Sequence, residues 1–191
     1  GGAYYVGIGG RTNWEGLKQI VPAVLSQGIR LVVFRDRKRA KGENEMKAMH
    51  LDTIWMPSDI NTLVTCDVEE DGRTAEIDRR MAFEVTVDSA TQELKVFGLG
   101  TMREHMVQRN TKIISLSDNE QKAFAPNFLN LGNDIVILSK VDENSVNKKA
   151  GAKTIEEKLQ AEGKIVLNAD LQAITKGYGG LHCMTAAIKR G

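Results

Sequence analysis

Gly177-Tyr-Gly-Gly-Leu-His-Cys-Met-Thr185 runs from a glycine-rich bend through a histidine to a thiol, and a short apolar run, Met184 to Ile188, follows. Glycines permit positive φ and let main chain approach a ligand closely. If the apolar run is a strand, it holds the Cys183 sulfur at its entrance, where a thiol is a candidate nucleophile. A plainer reading is also open, because free Cys is among the most buried residue types and can close a core strand as a small apolar side chain. The upstream sequence decides between them.

Two upstream stretches favour chemistry. Met49-His-Leu-Asp-Thr53 leads into Thr53-Ile-Trp-Met56, which reads as a buried strand bounded by Pro57. Strand alternation places His50 and Asp52 on one face. A general acid/base and a carboxylate then project together, and a Cys with a distant His is the form that a thiol-nucleophile site takes in sequence. The second stretch, Val6-Gly-Ile-Gly-Gly-Arg-Thr12, reads as a strand that ends in glycines, presents Arg11 and enters a helix. A guanidinium beside a helix N-terminus suits an anion, and Arg grips a carboxylate with two parallel hydrogen bonds. A solvated surface Arg is the alternative.

Taken in order, Gly-Ile-Gly-Gly-Arg-Thr, Met-His-Leu-Asp-Thr and Gly-Tyr-Gly-Gly-Leu-His-Cys-Met-Thr resemble the arginine deiminases of the guanidine-modifying, or pentein, superfamily. Protist-type members are the most similar, with Asn130-Leu-Gly-Asn133 like their turn into the last blade. The resemblance implies an α/β fold, a partial α/β-propeller with about half the blades of a five-bladed ββαβ ring. In that family a Glu that pairs with the catalytic His and an Asp that grips the guanidinium lie upstream of the first strand. Residues 1–191 are therefore expected to be the C-terminal part of a single catalytic domain. Its expected partners are the missing N-terminal half or another copy of the chain, in a homo-oligomer.

Composition describes an ordinary soluble globular chain. The chain is 41% hydrophobic and 27% charged, ordinary values for one sizeable core. A net charge of +1 speaks against a dedicated nucleic-acid binder. No apolar run reaches the ~18 to 20 residues of a membrane span, and no secretion signal is evident. Cys66 and Cys183 lack metal-ligand spacing, and the expectation is a cytoplasmic protein with Cys66 structural.

Along the chain, Ala3 to Ile8 reads as a strand. Thr12-Asn-Trp-Glu15 reads as a capping box opening a helix to about Gln27, with Pro22 inside it and Gly28 as its stop. Ile29 to Phe34 reads as a strand covered on both faces. The charged segment 35–47 reads as a solvated loop, with a gating role open. Met81 to Asp88 and Thr91 to Phe97 read as strands about a turn, Leu99 to Gln108 as a helix with His105 on its surface, and Lys112 to Leu116 as a strand. The last unit has a strand Asp134 to Ser139, a helix Thr154 to Ala161 with a Thr154–Glu157 capping box, and a strand Ile165 to Leu167. Strand, helix, strand thus recurs at 3–34, 81–116 and 134–168.

The resemblance also implies roles. Cys183 attacks the guanidinium carbon of L-arginine, His50 serves as general acid and then general base, and Asp52 holds the guanidinium nitrogens. Arg11 takes the α-carboxylate, and Gly177 and Tyr178 approach the substrate. Tyr178 stands where several members carry Arg, so gating or pH response is expected to differ. No cofactor or metal is expected. An amidinotransferase or dimethylarginine hydrolase using the same Cys and His is the enzymatic alternative, and a non-catalytic fragment is the other. His182 would face away from Cys183 in an extended chain.

Overall fold

Leu31, Val32, Val33 and Phe34 are all fully buried, as their unbroken apolar run predicts. The computed structural model describes residues 2–9, 12–36, 50–67, 75–88, 90, 91, 93–140, 153–171 and 180–185. Strand β2 (Arg30–Asp36) lies parallel to β1 (Ala3–Ile8) and antiparallel to β5 (Arg80–Val87), which pairs in turn with β6 (Leu94–Thr101). One face of β2 sends Leu31 and Val33 against Leu17 and Val21 of helix α1 (Trp14–Leu25). The other sends Val32 and Phe34 into a core with Ile54, Leu63, Met102 and Met106. Each such side chain contributes roughly 1.5–3 kcal/mol of burial.

The helix α1 begins one residue later than the capping box suggests. Asn13 is the N-cap, and its side chain accepts from Gly16 N at 2.8 Å, while Glu15 pairs with Lys18 instead. Asn caps as well as Thr does, and taking position 13 frees Glu15 for the helix surface. Gly28 ends the turn that follows the helix at φ +68°, a conformation glycine adopts without strain.

A second sheet has the order β3-β4-β7 and a third β10-β9-β8. In the second, β3 (Trp55–Asp59) pairs antiparallel with β4 (Thr62–Cys66), and β4 pairs in parallel with β7 (Lys112–Leu116). In the third, β8 (Leu129–Gly132) is antiparallel to β9 (Ile135–Ser139). Helix α5 (Ile155–Ala161) precedes the return strand β10 (Ile165–Ala169), which lies parallel to β9. The two sheets share a hairpin followed by a parallel return. Phe128, Leu116, Val136 and Leu159 are packed between them in one core.

Several expectations change. The strand after His50 starts at Trp55 and runs through Pro57 rather than stopping at it. Among the described residues β3 is an edge strand beside β4, with a register irregularity between Pro57 and Asp59, and edges and bulges are where a sheet tolerates proline. The two strands about a turn at 81–97 are found as the β5–β6 hairpin, which extends the first sheet, but 81–116 is not one strand-helix-strand unit, because β7 leaves that sheet and pairs in parallel with β4. His105 is buried, not on the surface. It belongs to α3 (Met102–Gln108), where positions 102, 105 and 106 share the inner face, and its ring lies 6.0 Å from that of Tyr5. A further short helix, α4 (Asp118–Lys122), carries a Ser117–Glu120 capping box. Among the described residues no helix is long and apolar enough to cross a membrane.

Candidate active site

His50 and Asp52 come together on a single 3-10 turn, Leu51–Thr53, not by strand alternation. The turn closes because both the backbone N–H and the hydroxyl of Thr53 donate to the carbonyl of His50, at 3.3 and 2.7 Å. A Thr three residues after an extended residue offers this local bond in competition with a ladder. Thr65 on β4 then donates to the Ile54 carbonyl at 2.6 Å and ties the turn to the second sheet. On its other side the turn meets β1, where a side chain at Gly7 would stand 3.4 Å from Leu51 Cβ.

The C-terminal segment meets this turn from the opposite side. His182–Met184 form a second 3-10 turn in place of the start of a strand, and residues 186–188 lie outside the described residues. The turn aims two consecutive side chains at one carboxylate. Nδ1 of His182 lies 2.9 Å from Asp52 Oδ2, and Cys183 Sγ donates to the same oxygen at 3.4 Å. An extended chain would have separated them, which is why His182 is in the site and not behind it.

Asn127, fully buried just beyond α4, joins the two turns. Its Oδ1 accepts from Cys183 N at 3.2 Å, and its Nδ2 donates to Cys183 Sγ at 3.2 Å and to the Asp52 carbonyl at 3.3 Å. Its own carbonyl accepts from His182 N. One ligand-capable atom from each of His50, Asp52 and Cys183 falls within a cluster whose members are all within 4.8 Å of one another. Thiolate, imidazole and carboxylate so placed are also donors that a zinc-type ion accepts.

The electrostatics set the carboxylate against the thiol. Burial pushes the Asp52 carboxyl up, but hydrogen bonds from His182, Cys183 and Asn127 outweigh it and hold it below its ordinary range. Burial pushes the Cys183 thiol up, and the Asp52 charge adds to this, while a backbone bond from Gly180 and the Asn127 amide act the other way. Cys183 is exposed, and Cys66 is buried in β4 as expected of a structural residue. The second oxygen of Asp52, Oδ1, is buried and accepts no hydrogen bond among the described residues. A buried carboxylate oxygen with no donor is costly unless a ligand supplies one.

Of the six residues expected in the site, the structure brings Cys183, His50 and Asp52 together. Arg11, Gly177 and Tyr178 lie outside the described residues, as does most of the charged segment 35–47. Asn127 was not anticipated.

The fold is similar to that of several solved structures. AgrE, unliganded, superposes with a TM-score of 0.55 at 15% identity over 94% of this chain and 20% of its own. The AgrE C264A mutant in its binary complex with L-arginine gives 0.54 at 15% over 93% and 19%. SxtG, an amidinotransferase from Microseira wollei in the saxitoxin biosynthetic pathway, gives 0.58 at 12% over 97% and 44%. The chain therefore spans less than half the length of these structures. No curated protein matches it in sequence. The family model for arginine deiminase matches residues 2–190, and the chain belongs to that family.

Proposed function

We propose that this chain is the nucleophile-bearing C-terminal part of an arginine deiminase, hydrolysing L-arginine to L-citrulline and ammonia in the cytoplasm. In this reading the three sheets belong to a pentein propeller, and the remaining blades, with their carboxylates, come from an N-terminal half or a second copy. The observation that carries the reading is Asp52 Oδ1, buried and without a hydrogen-bond partner among the described residues, beside an exposed thiol. With Oδ2 taken by His182 and Cys183, Oδ1 is the acceptor left for a cationic N–H donor. A guanidinium supplies such donors and carries the carbon to be attacked.

A guanidinium carbon is a poor electrophile because its charge is delocalised, so the attacking group must be a thiolate and the substrate must be held in place. A bound guanidinium offsets the Asp52 charge that keeps the Cys183 proton in place. The proton passes to His50, the sulfur bonds to the guanidinium carbon, and a C–N bond breaks as His50 protonates the departing ammonia. His50 then takes a proton from water. The resulting hydroxide attacks the thiouronium carbon, the C–S bond breaks as the adduct's hydroxyl proton passes to sulfur, neutral citrulline leaves, and His50 gives its proton to solvent, where ammonia becomes ammonium. Arg11 takes the substrate's α-carboxylate in this assignment, with Gly177 and Tyr178 flanking it.

The deciding experiment is citrulline release from L-arginine by the longest natural form of the chain, with Cys183→Ala as control. Citrulline that disappears in the mutant supports the proposal. A folded protein containing the upstream carboxylates that makes no citrulline overturns it, and ornithine release only in the presence of glycine identifies a transferase instead.

A further inference from the structure

We infer that Asn127 is the positioning residue of the Cys183 nucleophile, holding the sulfur in place and favouring its thiolate. The inference rests on the reading of Cys183 as the reactive thiol and adds to it a group that the sequence motifs do not contain. Asn127 makes four hydrogen bonds across the junction, three of them to the two residues His182 and Cys183. The orientation of its amide follows from its partners. Cys183 N can only donate and the Asp52 carbonyl can only accept, so Oδ1 must face the first and Nδ2 the second. The Nδ2 donor is thereby left pointing at the sulfur.

Asn127 is itself immobile. It is fully buried, its N–H bonds to the carbonyl of Phe124, a residue at φ +58°, and its neighbour Phe128 is fully buried in the second core. The chain carrying the thiol is shaped to meet it. A Cβ on Gly180 would stand 2.5 Å from Asn127 Oδ1 and 2.8 Å from its Cβ, so only glycine allows the turn to dock at this depth. Asp52 Oδ2, at 3.4 Å, accepts the thiol proton, whereas Nδ2 can bond only to a lone pair of sulfur. The two groups therefore pull the thiol in opposite directions, and Asn127 is the side-chain donor that favours the charged form.

The test is the pH–rate profile of Cys183 alkylation by iodoacetamide in the full chain, followed by mass spectrometry of the peptide containing Cys183 so that Cys66 does not contribute. Asn127→Ala is expected to move the midpoint to higher pH and to lower the thiolate fraction at pH 7 about tenfold, the effect of one hydrogen bond to a charged group. A purely structural role predicts something else: a loosened turn alkylates at a changed plateau rate with the midpoint where it was. A folded Asn127→Ala protein with an unmoved midpoint overturns the inference. Should that variant fail to fold, Asn127→Leu decides, because it keeps the side chain's volume in a fully buried position and removes its donor to the sulfur. The same upward midpoint supports the inference, and an unmoved one overturns it. Absence of citrulline from a folded wild-type form that contains the upstream carboxylates defeats the deiminase proposal, while an unmoved midpoint defeats only the role of Asn127.

Discussion

Replacing Asp52 by Asn should separate thiol reactivity from turnover, and in opposite directions. The carboxylate oxygen lies 3.4 Å from Cys183 Sγ. At that distance a negative charge disfavours a thiolate by about 1.2 kcal/mol in a water-like dielectric and by about 5 kcal/mol at an effective dielectric of ~20. Because Cys183 is exposed, the first figure governs, and it corresponds to about tenfold more thiolate at pH 7 in Asp52→Asn. A more acidic thiolate is also a weaker nucleophile, so the observed alkylation rate rises by about threefold. Citrulline formation should fall by at least ~100-fold, since the substrate loses its charge-assisted hydrogen bonds to the carboxylate, each ~1.5–3 kcal/mol. Alkylation by iodoacetamide at pH 7 and citrulline release are measured on the same preparation. Slower alkylation in the mutant would refute the argument that Asp52 keeps the thiol protonated, and retained citrulline would refute its role in holding substrate.

Two predictions concern the scaffold. Phe128→Ala empties a fully buried ring position in the core between the second and third sheets, and a loss of ~3–5 kcal/mol is expected in urea unfolding; a loss below about 1 kcal/mol would contradict that packing. Lys164 joins Asp59 at 2.9 Å and Asp134 at 2.7 Å, and its bond to Asp134, helped by Asp59 against burial, raises its pKa. A raised lysine contributes stability that is complete below its unfolded pKa, ~10.4, and disappears as pH rises through the folded value. Thermal unfolding of the wild type should accordingly fall more steeply than that of Lys164→Met above pH ~10.5. Near neutral pH the two should differ by only ~1 kcal/mol because Asp134 is well exposed.

What the sequence disclosed depended on how local the signal was. Continuous burial in β2, the Thr154 capping box of α5 and the Asp88 turn, where Oδ1 accepts from Ala90 N and Thr91 N, are all written within a few residues. The capping box of α4 was equally local, Ser117-Asp-Asn-Glu120, and could have been read from the same pattern. The burial of His105 was legible too, from its spacing with Met102 and Met106. The pairing of β4 with β7 was not, since it joins strands more than 40 residues apart across an inserted hairpin, and no periodicity within either strand names its partner. The 3-10 turns at 51–53 and 182–184 depart from the extended reading because a histidine carbonyl in each, that of His50 or His182, accepts from both the N–H and the hydroxyl of a threonine three residues on. Alternation gave the right companions, His50 and Asp52, for the wrong geometrical reason.

Asn127 shows why a site can be half visible. Cys183, His50 and Asp52 sit in motifs because the chemistry proposed for them needs particular residue types, and such motifs can be recognised without knowing the fold. The residue that joins them does no chemistry of its own and stands 56 positions from Cys183 and 75 from Asp52. Its placement comes from its neighbour: Phe128 is fully buried in the core shared by the second and third sheets, so the adjacent amide inherits the rigidity of that core and passes it to the turn at 182–184. An exposed thiol can then be held to a fixed position with only short-range contacts around it, and the precision of the site is set by packing on the far side of the chain from the sulfur.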